Sequence, residues 1–124
     1  MIKEDFVPAV YFRENCPFCL KVRLFLLEAD LSGEVEIREF APGSKEEEEI
    51  RAQLHETLGK ASFPAAQIGP ATYMTESDDI IAFLAGRSGR EPRNLPILKS
   101  YIEGVLKPML RLSEENLELK SQPL

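Results

Sequence analysis

The sequence predicts an α/β domain of element order βαβαββα, a mixed four-stranded sheet flanked by helices, with one extra helix at the C-terminus. Three observations predict it. A short apolar, β-rich run leads directly into a segment with apolar residues at helical spacing; a run of alternating polarity follows; and two short strand-like runs meet at a Gly-Pro turn ahead of another helical segment. A length of 124 residues is about one domain's worth, long enough to bury a core without a disulfide or a metal.

The run Phe6-Val7-Pro8-Ala9-Val10-Tyr11-Phe12 reads as a buried strand, with Tyr11 and Phe12 as core. Cys16-Pro17 then opens a helix, since proline suits the first turn, and Leu20, Leu24, Leu27 and Leu31 repeat at helical spacing up to Gly33 as the stop. This helix spans about residues 17 to 30. Residues 34–40, Glu-Val-Glu-Ile-Arg-Glu-Phe, alternate polar with apolar, the period of a strand with one wet face. Ser44 and Glu47 form a capping box in which each satisfies the other's free amide, and the acidic run from Glu46 to Glu49 suits the positive end of a helix that runs to about Leu58, with Gly59 past its end.

Residues 63–68 and 71–74, joined at Gly69-Pro70, read as an antiparallel hairpin. Ser77 as N-cap with Asp78 and Asp79 in the first turn opens a short helix to Gly86. The linker with Arg87, Arg90 and Arg93 is polar and reads as a solvated loop. After it Ile97, Leu98, Tyr101, Ile102, Val105, Leu106 and Met109 mark a helix that Pro108 is expected to kink, followed by a tail expected to fray from Ser113 onward. The division predicted is a domain over 1–90 and a C-terminal helical extension over 91–124 packed on it.

Charge narrows the function. Fifteen Lys and Arg against twenty-one Asp and Glu give a net charge of −6, which repels phosphate backbones and anionic lipid, so neither nucleic acid nor a membrane is an expected partner. The N-terminus does not read as a secretory signal and no run is long and apolar enough to span a bilayer; the expected location is cytoplasmic. In such a reducing compartment the two cysteines, Cys16 and Cys19, read as catalytic or metal-binding rather than as a staple.

Cys16 falls at the start of the first helix, where unpaired amides and the helix dipole favour a thiolate over a thiol. It is the candidate nucleophile. Cys19, one turn inside the helix on the same face, can reach back as a resolving thiol. Pro17 has no amide hydrogen to lose there, Phe18 offers an apolar face beside the sulfur, and Arg13 brings a cation near it. Zinc needs four ligands and the chain adds only His55, so no metal is expected.

Cys16-Pro17-Phe18-Cys19 after a short strand, Ser62-Phe63-Pro64 ahead of the third strand, and Glu76-Ser77-Asp78-Asp79 at the opening of the third helix together resemble glutaredoxins and the N-terminal domain of glutathione transferases, over about residues 6 to 86. The resemblance implies a thioredoxin-like fold, a cis peptide before Pro64, and glutathione as cosubstrate. It implies that the backbone of Phe63 pairs with the cysteinyl part of glutathione. The amide and hydroxyl of Ser77 would take the γ-glutamyl carboxylate, Asp78 the α-amine and Arg51 the glycyl carboxylate. With Arg13, Phe18, Pro64 and Glu76 these form the implied glutathione site.

Thr75-Glu76 stands where glutaredoxins have a Gly pair, and Glu76-Ser77 is closer to the transferases. The expected activity is reduction of protein disulfides or protein-glutathione mixed disulfides by a monomer or weak homodimer. The alternatives are a transferase-like glutathione-binding or protein-interaction module without turnover, and a cluster-bridging protein, against which Pro17 argues.

Overall fold

The computed structural model describes residues 6–121, with side chains through 117. The N-terminal segment read for a signal and the last three residues of the expected frayed tail lie outside it. In chain order the elements are β1 (Ala9–Arg13), α1 (Pro17–Glu28), β2 (Glu36–Phe40), α2 (Lys45–Leu58), β3 (Ala65–Gly69), β4 (Thr72–Thr75), α3 (Ser77–Ser88), α4 (Pro96–Tyr101) and α5 (Lys107–Ser121). A π-helical turn, Ile102–Leu106, joins α4 to α5.

The sheet has strand order β2-β1-β3-β4, with β1 parallel to β2 and antiparallel to β3, and β3 antiparallel to β4. Because side chains alternate across a strand, β1 serves two cores at once. Ala9 and Tyr11 pack with Phe40, Ile50, Leu54 and Ala65 beneath α2. Val10 and Phe12 point the other way, into a larger cluster with Val22, Phe25 and Leu26 of α1, Ile80 and Leu84 of α3, and Leu98 of α4.

The buried face of α1 differs from the expected one. Cys19, Val22, Phe25 and Leu26 are buried, whereas Leu20 and Leu27 are 44% and 61% exposed. Of the expected leucine stripe, Leu31 is buried and Leu24 packs against the larger cluster, so that only Leu20 and Leu27 face away; Cys19, Val22, Phe25 and Leu26 make up the rest of the buried face. The helix also ends earlier. Asp30 takes the left-handed conformation at φ 61, its amide donates to Leu27 O, and the Leu31 amide donates to Leu26 O at 2.8 Å. That is a Schellman closure made with Asp30, so Gly33 is not the stop and falls in the following 3-10 turn, Ser32–Glu34.

Four other expectations are corrected in detail. In the capping box of α2, Ser44 Oγ accepts from the Glu47 amide at 3.2 Å, but Glu47 Oε1 accepts from the amide of Gly43 at 2.7 Å rather than that of Ser44. The N-cap of α3 is Glu76, at φ 75, and Ser77 is the first helical residue. Pro108 lies in the first turn of α5, and the irregularity precedes it as the π turn: a proline offers no amide to the carbonyl four residues back, and a widened turn accommodates the loss. α5 stays helical to Ser121, past the point where fraying was expected.

Helix α4 is fastened to α1 at both ends. Glu28, the last residue of α1, accepts from the amides of Ile97 and Leu98 at 2.8 and 2.7 Å, filling the free donors of the first turn of α4. At the other end the Tyr101 hydroxyl donates to the carbonyl of Pro17 at 2.5 Å. Beyond the π turn this anchoring stops, and residues 111–117 of α5 are all exposed.

Candidate functional site

The strand registers bring three loops to one edge of the sheet. Tyr11 of β1 pairs with Ala65 of β3, and Ala65 pairs with Thr75 of β4. The segments just beyond that line are Arg13 to Cys16, leaving β1; Phe63-Pro64, entering β3; and Glu76-Ser77, leaving β4. The peptide between Phe63 and Pro64 is cis. Cys16 and Phe63 both border the larger core cluster.

Cys16 is the N-cap of α1, with φ −110 and ψ 120, and its Sγ accepts from the amide of Cys19 at 3.4 Å. The Cys16 sulfur therefore occupies the capping position at which the helix presents unpaired amides. Cys16 is partly exposed and Cys19 is buried, 3% exposed. Burial pushes the Cys19 thiol well above the ordinary cysteine range, and its contact with Cys16 pushes the same way. The Arg13 amide, which donates to Cys19 Sγ at 3.4 Å, opposes this only in part.

A cleft of about 380 Å³ opens beside the two cysteines, lined by Arg13, Asn15, Leu20, Arg23, Glu39, Tyr101, Val105 and Met109 among others. Its far wall is thus Tyr101 at the end of α4, Val105 of the π turn and Met109 in the first turn of α5. Tyr101 has its hydroxyl raised by burial and, secondarily, by the nearby Cys16, so it holds its proton in the neutral range. Phe18 is 37% exposed.

On the α2 side, Arg51 Nε donates to Glu47 Oε2 at 2.6 Å and its guanidinium lies 5.2 Å from the ring centre of Phe63. The Phe63 ring in turn meets Phe40 edge-on at 4.7 Å. Arg51 is therefore brought beside the residue preceding the cis-proline. His55 is exposed.

On the α3 side, the structure brings in a residue the sequence reading did not single out. Lys21, buried in the second turn of α1, directs its Nζ to Ser77 Oγ at 3.4 Å and forms an ion pair with Asp78. The carboxylate assigned by resemblance to a ligand amine thus already has a cation from within the chain. Lys21 sits one turn before Phe25, on the stripe that is buried, and that position was the available signal. Glu76 is exposed and Ser77 is 8% exposed. Among the described residues there is no group of three or more His, Cys, Asp or Glu able to hold a metal ion, and no helix long and apolar enough to cross a membrane.

Comparison with known proteins places the fold. Glutaredoxin 2 from Salmonella typhimurium, crystallised in complex with glutathione, is 23% identical, with a TM-score of 0.52 over 67% of this chain and 34% of its own. Glutathione transferase Omega 3C from Trametes versicolor is 19% identical, with a TM-score of 0.53 over 82% of this chain and 43% of its own. This chain thus spans less than half the length of either structure. No curated protein matches it in sequence. The architecture is thioredoxin-like, matching these neighbours in fold, and this chain carries an added C-terminal helix. The model of the glutathione S-transferase N-terminal domain matches residues 10–92, from within β1 through the whole of α3 and so over more than half of the chain, which belongs to that family.

Proposed function

We propose that the protein is a glutathione-dependent thiol-disulfide oxidoreductase, working in a reducing compartment such as the cytoplasm as a monomer or weak homodimer. One observation carries the reading: two sulfurs three residues apart, one partly exposed at a helix N-cap and the other buried with its thiol pushed up. That asymmetry suits a nucleophile and a reserve thiol.

In the first step Cys16 thiolate attacks the glutathione sulfur of a protein-glutathione mixed disulfide. The old S–S bond breaks, the protein leaves as a thiolate and takes up a proton, and Cys16 is left as a mixed disulfide with glutathione. A second glutathione, as thiolate, attacks that disulfide, releasing oxidised glutathione and restoring Cys16; the two electrons come from glutathione. In the dithiol branch Cys19, after giving up its proton, attacks Cys16 Sγ instead, the Cys16–glutathione bond breaks and glutathione leaves as a thiolate that takes up a proton; the resulting Cys16–Cys19 disulfide is reduced by two glutathiones, which leave as oxidised glutathione. The positions of Ser77 at the start of α3 and of Arg51 beside Phe63 support a site holding the γ-glutamyl and glycyl carboxylates at opposite ends, in line with Cys16.

The exposed apolar residues Val105, Met109, Leu112 and Leu117 favour a second reading, a glutathione-binding or protein-interaction module without turnover. One assay separates the two. The purified protein, with glutathione and glutathione reductase, is given a glutathionylated peptide. Release of free peptide that Cys16→Ser abolishes supports the oxidoreductase; binding of glutathione without release overturns it.

A further inference from the structure

Past Leu110 the helix α5 leaves the core: residues 111–117 are all exposed, and Leu112 and Leu117 are each 65% exposed. A helical arm of roughly ten residues is marginal in water when nothing packs on it, and exposed leucines add nothing to hold it. Its charge also changes sign along its length. Upstream, Lys107 Nζ donates to Glu103 Oε2 at 2.8 Å, and that hydrogen bond, followed by the charges of Lys107, Lys99 and Arg111, holds the Glu103 carboxyl below its usual range. Three cations thus gather about a single carboxylate. The next charges along the arm, Glu114 and Glu115, are acidic.

The basic stretch borders an apolar hollow. A cavity of about 430 Å³ between α3 and α4 is lined by Ile81, Leu98 and Ile102, with Lys99 and Glu103 beside them. It lies across α4 from the Cys16 cleft, whose wall takes Tyr101 and Val105 instead. Such a hollow suits an apolar side chain with acidic neighbours, and the arm of the same chain carries one. The acidic helix α2 does not, since its Ile50 and Leu54 are buried in its own core at 8% and 0% exposed.

We propose that a second copy of this chain covers the cavity: the α4–α5 helices of two copies pack antiparallel about a two-fold axis, Leu117 of each entering the α3–α4 cavity of the other, with Glu114 and Glu115 meeting Lys107 and Arg111. The spacing permits it. At about 1.5 Å per residue Leu117 lies about 22 Å along the helix from Ile102, so an axis passing between Met109 and Leu110 sets each against the other. Two-fold pairing uses one arm and one cavity per chain and closes, leaving neither free. The dimer is weak, because two chains of net charge −6 repel at a distance, and half-association falls at about 10–100 μM. The Cys16 cleft stays open in the dimer, so the pairing is independent of the glutathione reading.

Sedimentation equilibrium of the full chain from about 5 to about 500 μM is the test, and the unchanged protein is expected to pass from monomer to dimer across that range. Glu114→Lys with Glu115→Lys in one chain, and Lys107→Glu with Arg111→Glu in another, each set like charges together and are expected to weaken self-association about tenfold or more. An equimolar mixture of the two is expected to recover a one-to-one dimer. Leu117→Ser is expected to weaken it about tenfold or more as well. All five positions are exposed, and an unchanged alkylation rate at Cys16 shows that each variant keeps its fold. A protein still monomeric at the highest concentration overturns the proposal, as does a dimer indifferent to both charge reversals, or a mixture that fails to pair. Deglutathionylation is measured on the same samples: an active monomer overturns only the dimer, and an inactive dimer only the glutathione reading.

Discussion

The flank of α1 that faces α3 and the flank that faces α4 are built from opposite chemistry, although Cys16 stands at the end of both. Toward α3 the contact is a buried ammonium on Ser77 and Asp78. Toward α4 and the π turn it is Leu20 across the cleft from Val105 and Met109, with Tyr101 as its one hydroxyl. A charged contact is directional and is lost as a unit when one partner goes; an apolar wall contributes area and tolerates exchange of one side chain for another. The α3 flank therefore suits selection of one small ligand. The α4 flank suits contact with whatever carries the other sulfur.

The largest effect belongs to the point the two flanks share. Cys16→Ser is expected to lower deglutathionylation by about a thousandfold or more, since the serine hydroxyl stays protonated where a thiol ionises. Cys19→Ser is expected to keep that activity, because glutathione can resolve the mixed disulfide, and to lose turnover of dithiol substrates. Retained activity in Cys16→Ser breaks the comparison at its root.

The two sulfurs also separate by pH. With its thiol pushed up by burial, folded Cys19 keeps its proton where an unfolded cysteine has lost it. Iodoacetamide at about pH 7.5 is expected to add one label to the folded protein, at Cys16, and two once it is unfolded, counted by mass spectrometry. The same shift has a sign for stability: the contribution of Cys19 is intact below about pH 8.5, the unfolded value, and declines as pH rises beyond it. Rapid double labelling of the folded protein would show that Cys19 is not the shielded thiol.

Stability divides along the C-terminal extension in the same way. Leu98 is 2% exposed in the larger core, and Leu98→Ala is expected to cost about 2–4 kcal/mol by thermal or urea unfolding. Leu117, at 65% exposed, is expected to change stability by less than about 0.5 kcal/mol when replaced by Ser. Glu28→Ala falls between, at about 1–2 kcal/mol, since it frees two amides at the start of α4 that water can partly satisfy.

How far the sequence reaches follows from the range of each interaction. The apolar run of β1, the two-residue period of β2, the Ser44–Glu47 cap and the left-handed Gly59 at φ 78 are local, and each is readable from neighbours in the chain. The cysteines were readable because proline and strand signals place a helix start between them. Lys21 was not, since a lysine in a helix reads as solvated until its partners 56 and 57 residues away are known. The same distance hid the Tyr101 contact, 84 residues from Pro17, and the Asp30 stop was hidden because only burial of Leu31 selects it.

Tyr101 gives the smallest effect. Its hydroxyl is a donor throughout the neutral range, as burial raises it, and its acceptor is a carbonyl in the first turn of α1, which is also placed to accept the helical amide four residues on. Removing the hydroxyl therefore strands no acceptor. Tyr101→Phe keeps the ring against the cleft and is expected to cost about 1 kcal/mol or less, with kcat and its pH profile unchanged. If kcat falls and the profile shifts while stability holds, the hydroxyl delivers a proton to the departing thiolate, and the α4 flank takes part in the chemistry rather than walling it.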